Sequence, residues 1–270
     1  MEKKYKLTEE TMSVGNHTLH RIKALKDFGN VKVGDLGGWV ESEENLSQYG
    51  DAWVYDNAMV YGCAEVYGNA NVHGNARIYG DARVFEYAYV YGCAEVYGDA
   101  RVFEYAYVYG CAEVYDSTRV FGNAWVYGSA LVYGDAEVCG KAEVCGNAWV
   151  YGNAKVYGKA EVCGDAKVYD NALVYGDAEV CGYAEVCGDA EVCGKAEVCG
   201  SAEINKIQDY IIFKNWWSSG RFFTWTRSNN MWKVGCFYGT GEELVAKAYA
   251  DSEAKGKEYE KIVNYVKTCL

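Results

Sequence analysis

The sequence predicts an all-β solenoid: a chain wound into a three-sided coil of short parallel strands, with a small unit at each end. Three observations predict it. A hexad of the type Gly-x-Ala-x-Val-Tyr repeats 26 times from Gly50 to Asn205 without insertion. Its Ala and Val are two residues apart, so on an extended chain they share a face. The block beginning at Arg83 recurs from Arg101 through Tyr115, a shift of 18 residues or three hexads. Such a unit cannot bury its apolar face alone and must stack on its copies, and the 18-residue copy makes the stacking unit three-sided.

Residues 1–49 precede the repeat and are expected to form a β-rich cap over its open end. The stretches from Tyr5 and His20 read as strands, and Gly34-Asp-Leu-Gly-Gly-Trp-Val as a turn entering another. Residues 50–205 are the solenoid. Gly, or Asp or Glu in its place, opens every hexad and supplies the corner, since these positions need unusual backbone angles. Ala follows two residues later, with Thr118 the exception, and Val four later, relieved by Ile78 and Ile204. Residues 206–270 form a C-terminal α+β unit of three strands and two helices. The strands begin at Tyr210, Arg221 and Met231. Thr240 and Glu243 make a capping box, and Tyr259, Ile262, Val263 and Val266 share one face of the second helix.

Period and composition together resemble the left-handed parallel β-helix of the hexapeptide-repeat superfamily. Twenty-six hexads at three to a coil make about 8.7 coils, roughly 40 Å long at ordinary strand spacing.

A net charge of −12 excludes broad electrostatic binding to nucleic acid, and no apolar run is long enough to span a membrane. The opening Met1-Glu-Lys-Lys-Tyr has no apolar core of a leader, so a cytoplasmic location is expected. Twelve cysteines fit that location only as reduced side chains, most of them, such as Cys145, Cys163, Cys181 and Cys199, in slots that Tyr takes elsewhere, with oxidation between neighbouring rungs the lesser alternative. Without any C-x-x-C, neither a metal nor a cofactor is expected.

Sorting outward residues every 18 positions gives the candidate sites. One side carries Trp53, Tyr55, Tyr89, Tyr91, Tyr107, Tyr109, Trp125 and Tyr127, then changes to Glu143, Glu161, Glu179 and Glu197 beside four cysteines. Ring ladders stabilise stacked rungs, yet an aromatic surface of this extent marks an interface. A second side stacks Arg83, Arg101 and Arg119 as a candidate for an acidic ligand. In the C-terminal unit Trp216, Trp217, Arg221, Trp225 and Arg227 are further binding candidates, several of them competing with core packing.

Two resemblances bear on function. The hexapeptide-repeat superfamily contains acyltransferases and γ-type carbonic anhydrases, whose sites usually lie between subunits of a trimer and use histidine. Here His73 is the only histidine within the repeat, no loop interrupts the hexads, and no catalytic residue is carried over. Both ends, Thr18-Leu-His-Arg-Ile-Lys-Ala-Leu and Phe213-Lys-Asn-Trp-Trp-Ser-Ser-Gly-Arg among them, look like hexapeptide-repeat proteins encoded by phages and prophages, often described as polymer-forming. The resulting expectation is a non-catalytic binding protein, phage-encoded and directed at a host protein such as a defence factor, or paired with itself as a homo-oligomer. A self-assembling structural or virion protein is the alternative, and an acyltransferase-like enzyme the third.

Overall fold

Each hexad folds as a corner followed by a two-residue strand in the computed structural model, which describes residues 2–215 and 219–268. The 26 strands, from Trp53–Val54 to Glu203–Ile204, fall into three parallel sheets to which they contribute nine, nine and eight members. Pairing joins residues 18 apart throughout, as in Tyr89 with Tyr107 and Val90 with Val108. The protein is thus a parallel β-solenoid of about nine turns with a small C-terminal unit of antiparallel strands and two helices.

Backbone satisfaction explains why the coils stack so regularly. Tyr89 N–H donates to Ala106 O at 2.9 Å, Tyr91 N–H to Val108 O at 3.0 Å, and the corner Cys93 N–H to Gly110 O at 2.7 Å. Corners as well as strands therefore spend their polar groups on the next coil. The Ala and Val of each hexad point inward and are fully buried, and Thr118 is buried in an Ala slot.

The corners explain the glycines. Gly110 has φ +75°, and a Cβ there would stand 2.8 Å from Gly128 O of the next coil. Asp56, Glu86, Glu104, Asp116 and Asp170 replace glycine and still hold φ between 52° and 58°. Four of them offset that strain with a hydrogen bond: their carboxylates accept the backbone N–H of Gly74, Glu104, Gly134 and Gly188 on the following rung, at 3.0–3.2 Å.

A parallel coil ends in unpaired carbonyls at one edge and unpaired N–H groups at the other. The two end units match this polarity. At the N-terminal edge, β1 (Tyr5–Val14) and β2 (His17–Ala24) form a hairpin, and β3 (Leu36–Val40) pairs in parallel with Met59–Val60. Leu46 bridges Val66, so the stretch 39–46 is a degenerate coil that carries no hexad signature. The open carbonyls meet donors: Lys4 Nζ reaches Ala52 O at 2.8 Å and Gly50 O at 3.4 Å. Asn45 Nδ2 donates to both Gly62 O and Ala64 O at 2.9 Å, and Trp39 N–H to Ala58 O.

At the other edge the open donors meet hydroxyl acceptors. Cys193 N–H donates to Tyr210 Oη, Glu197 N–H to Thr224 Oγ1 and Glu203 N–H to Ser228 Oγ, at 2.7–3.3 Å. Tyr210 and Thr224 belong to a four-stranded antiparallel sheet of Tyr210–Lys214, Phe222–Thr226, Met231–Val234 and Phe237–Gly239, and Ser228 to the turn between its second and third strands. The three expected strands become four because Gly235, at φ +57°, turns the last one back into a hairpin. Helices α1 (Gly241–Asp251) and α2 (Glu253–Thr268) cover it, α1 opening with the reciprocal Thr240–Glu243 capping box. Phe223, Trp225, Trp232, Leu244, Tyr259 and Val263 form the separate core of this unit.

Candidate interaction face

Aromatic residues following Val stack on their equivalents one coil away along most of the repeat. Tyr61, Tyr79, Tyr97, Tyr115, Tyr133, Tyr151 and Tyr169 form one unbroken column with centroids 4.8–5.2 Å apart. Several hydroxyls also donate to a Glu of the next rung, as Tyr79 to Glu95 at 3.0 Å and Tyr97 to Glu113 at 3.1 Å. Burial, followed by these carboxylate contacts, holds both phenols well above the ordinary tyrosine range. Such columns are structural: each ring covers its neighbour and the rungs are clamped.

The candidate face differs from this pattern by what stands beside the column. Tyr91, Tyr109 and Tyr127 stack at 4.7–4.9 Å, and Tyr89 stacks on Tyr107 at 5.1 Å. Trp125 lies tilted, 5.7 Å from Tyr107 and edge-on to Tyr109 at 6.3 Å. Two corner rings that the column sorting missed, Tyr87 and Tyr105, stack at 5.0 Å and extend the same face. Tyr87, Tyr105 and Trp125 are 47, 54 and 42 % exposed. The missing signal was the corner slot itself, which mostly holds Asn, Asp, Ser, Cys or Lys and here holds Tyr.

Trp53 requires a correction. It shares the column by register, yet it is buried, edge-on to Tyr5 at 6.0 Å and to Phe28 at 5.3 Å beneath the N-terminal cap. Tyr55 is half-buried and carries His73 flat against it at 4.0 Å. Burial lowers the His73 pKa and outweighs the raising effect of Asp56, so the ring is neutral near pH 7. Asn30, Asp51, Asn71, His73, Tyr87 and Tyr89 line part of a shallow groove of about 530 Å³ here.

The arginine column is real but largely self-compensated. Arg83 faces Glu65 at 3.9 Å, and Glu137 takes both Arg119 at 2.5 Å and Lys155 at 3.2 Å. Arg101, between two arginines, has no ion pair among the described residues and borders an open depression with Asp81, Asp99 and Ser117. Arg221 and Arg227 are exposed. Trp225 is a core residue whose Nε1–H donates to Asn230 Oδ1 at 3.0 Å, so it is no recognition residue. Trp216 and Trp217 lie outside the described residues.

Further along the same column the rings give way to Cys145, Cys163, Cys181 and Cys199. A hydrogen bond from Cys163, with a second from Tyr127, brings the Cys145 thiol down to about 7, while the Cys163 thiol is pushed up. Cys181 and Cys199 are joined by a disulfide, their Cα atoms 4.7 Å apart. The expectation of uniformly reduced cysteines therefore fails at this pair, because one coil of separation brings two sulfurs within bonding reach.

Fold and surface define a repeat β-helix protein with dressed ends and one chemically graded side. A model of the YdcK β-solenoid repeat matches residues 76–92. The curated protein named "Uncharacterized acetyltransferase YdcK", from Escherichia coli (strain K12), is 37% identical over 62 residues, which is 20% of this chain and 19% of that protein. The likeness to that protein thus covers about a fifth of either chain. No helix among the described residues is long and apolar enough to cross a membrane.

Proposed function

We propose that the protein is a rigid, non-catalytic binding protein that engages a protein partner through the aromatic face of Tyr87, Tyr89, Tyr105, Tyr107 and Trp125. The observation that supports this reading is the exposure of Tyr87, Tyr105 and Trp125 beside stacked, immobilised neighbours. Rings already held by stacking lose little rotamer freedom on binding, which favours affinity per ring. Ends capped by Lys4, Asn45, Thr224 and Ser228 leave few free backbone groups for end-to-end growth, so the polymer-forming reading is second to it. The resemblance of both ends to phage-encoded proteins makes a bacterial host factor the first partner to seek, with a second copy of the chain the other.

The test is capture of partners from bacterial lysate with the tagged protein, alongside light-scattering mass of the purified chain. A stoichiometric partner, or a discrete oligomer, that is lost in the Tyr87→Ser/Tyr105→Ser/Trp125→Ser variant supports the reading. A monomer with no partner, or binding unchanged by the triple substitution, overturns it.

A second reading, acetyl transfer, is favoured by the groove at His73 and by the name of the similar Escherichia coli protein. A neutral imidazole is the form in which a general base works, and Asn71 and Tyr89 beside it could orient an acceptor. Acyl-coenzyme A binding abolished by His73→Ala would favour this reading over the first.

A further inference from the structure

We propose that the end of the cysteine column is a binding site for a soft metal ion, formed by Glu179, Cys181 and Cys199 once the Cys181–Cys199 bond is reduced. A carboxylate oxygen of Glu179 and the two sulfurs of the disulfide lie within 4.8 Å of one another, so reduction would leave two thiols beside that carboxylate. The topology produces this convergence in two ways. Glu179 and Cys181 flank the inward Val180, so both face outward on one strand, and Glu179 pairs in register with Glu197, which places Cys199 one rung away. A tetrahedral ion with metal–sulfur bonds of about 2.3 Å wants its sulfurs roughly 3.8 Å apart. Two cysteines whose Cα atoms stand 4.7 Å apart reach that separation by small side-chain rotations.

The absence of C-x-x-C does not count against the site. In a local zinc motif a tight turn brings the two sulfurs together; here the 18-residue coil does so. The ligand set selects the ion class, since two thiolates and one carboxylate suit zinc and its soft neighbours over calcium or magnesium. The charge context agrees. Glu143 and Glu161 continue the acidic column beside Glu179, whereas Glu197 is drawn to Lys233 at 3.5 Å and is not free to compete as ligand. Three protein ligands leave a fourth position for water.

Two-electron reduction by an external thiol or phosphine breaks the sulfur–sulfur bond and yields two thiols. The cation then displaces both thiol protons to solvent, because thiolates are the ligating form. The oxidised chain lacks the site, so metal uptake and the disulfide exclude each other.

The experiment uses the full chain, reduced with a phosphine, stripped with a chelator, and titrated with zinc and separately with cobalt(II). The expected result is one zinc per reduced chain and a thiolate-to-cobalt charge-transfer band, both missing from the oxidised chain. Cys181→Ser and Cys199→Ser each weaken zinc binding at least tenfold; Glu179→Gln weakens it while keeping the band. Cys139→Ser, in another column, changes nothing. Glu179 and Cys181 are half-buried and Cys199 is buried, so circular dichroism of each variant checks that the coil is intact. No stoichiometric uptake by the reduced chain overturns the proposal. So does uptake retained in Cys181→Ser/Cys199→Ser, or lost only in Cys145→Ser/Cys163→Ser.

Discussion

The carboxylate of Glu86 accepts the backbone N–H of Glu104 at 3.0 Å, one rung along, and both residues hold φ in the left-handed region, at 58° and 57°. The strain of the first residue is thus offset by a bond to the second. Glu86→Ala keeps the strain and removes the bond, and should cost about 1–2 kcal/mol. Glu86→Gly removes both and should cost less. Equal shifts of the denaturation midpoint for the two variants would show that the carboxylate contributes nothing.

Trp53 and Trp125 occupy the same slot of the hexad four coils apart, but their substitutions should have opposite consequences. Trp53→Ala opens a cavity under the N-terminal cap and should destabilise by about 3–5 kcal/mol. Trp125→Ala, on a half-exposed ring, should stay within about 1 kcal/mol of the parent while weakening partner binding. Thermal melts and a binding assay on the two variants separate the cases.

Lys4 is buried against two carbonyls, and desolvation lowers its pKa to about 8 despite the opposing pull of Asp51. Its folded pKa lies below the unfolded value, so between about pH 8 and pH 10 the unfolded chain binds more protons and stability rises with pH. Lys4→Met removes this gain and leaves Ala52 O without that donor. The stability gap between parent and variant should therefore widen from pH 7.5 to pH 9.5. A constant gap would mean that Lys4 titrates as if exposed.

The tyrosine columns act in the opposite sense at higher pH. Burial raises the phenols of Tyr79, Tyr97 and Tyr115, so their contribution is fully present below about pH 10 and is lost as pH rises beyond it. Tyrosinate absorbance from the columns should appear together with loss of the far-ultraviolet β signal. Ionisation well before unfolding would refute a clamping role for the stacks.

Much of this could be read from residue order. Every hexad position kept its role because a coil without insertions converts position modulo six into inside, outside or corner, and position modulo 18 into a column. The aromatic side and the arginine column followed from that arithmetic, and the capping box at Thr240 from the spacing to Glu243. The degenerate first coil did not, since Trp39 pairs with Met59 at an interval of 20 residues and carries no hexad spacing. The turn at Gly235 was hidden inside an apolar run that reads equally well as one strand.

The repeat by itself determined the architecture, because one period satisfied hydrogen bonding, burial and corner geometry at the same time. Tertiary structure alone decided which of the repeated positions reach solvent. Trp53 is covered and Trp125 is open only because the cap folds over one end of the column. The meeting of Glu179 with Cys181 and Cys199, and the matching of donors to one edge and hydroxyls to the other, likewise depend on contacts between residues far apart in sequence. Periodicity specifies a residue's direction from the axis; only packing specifies what lies there.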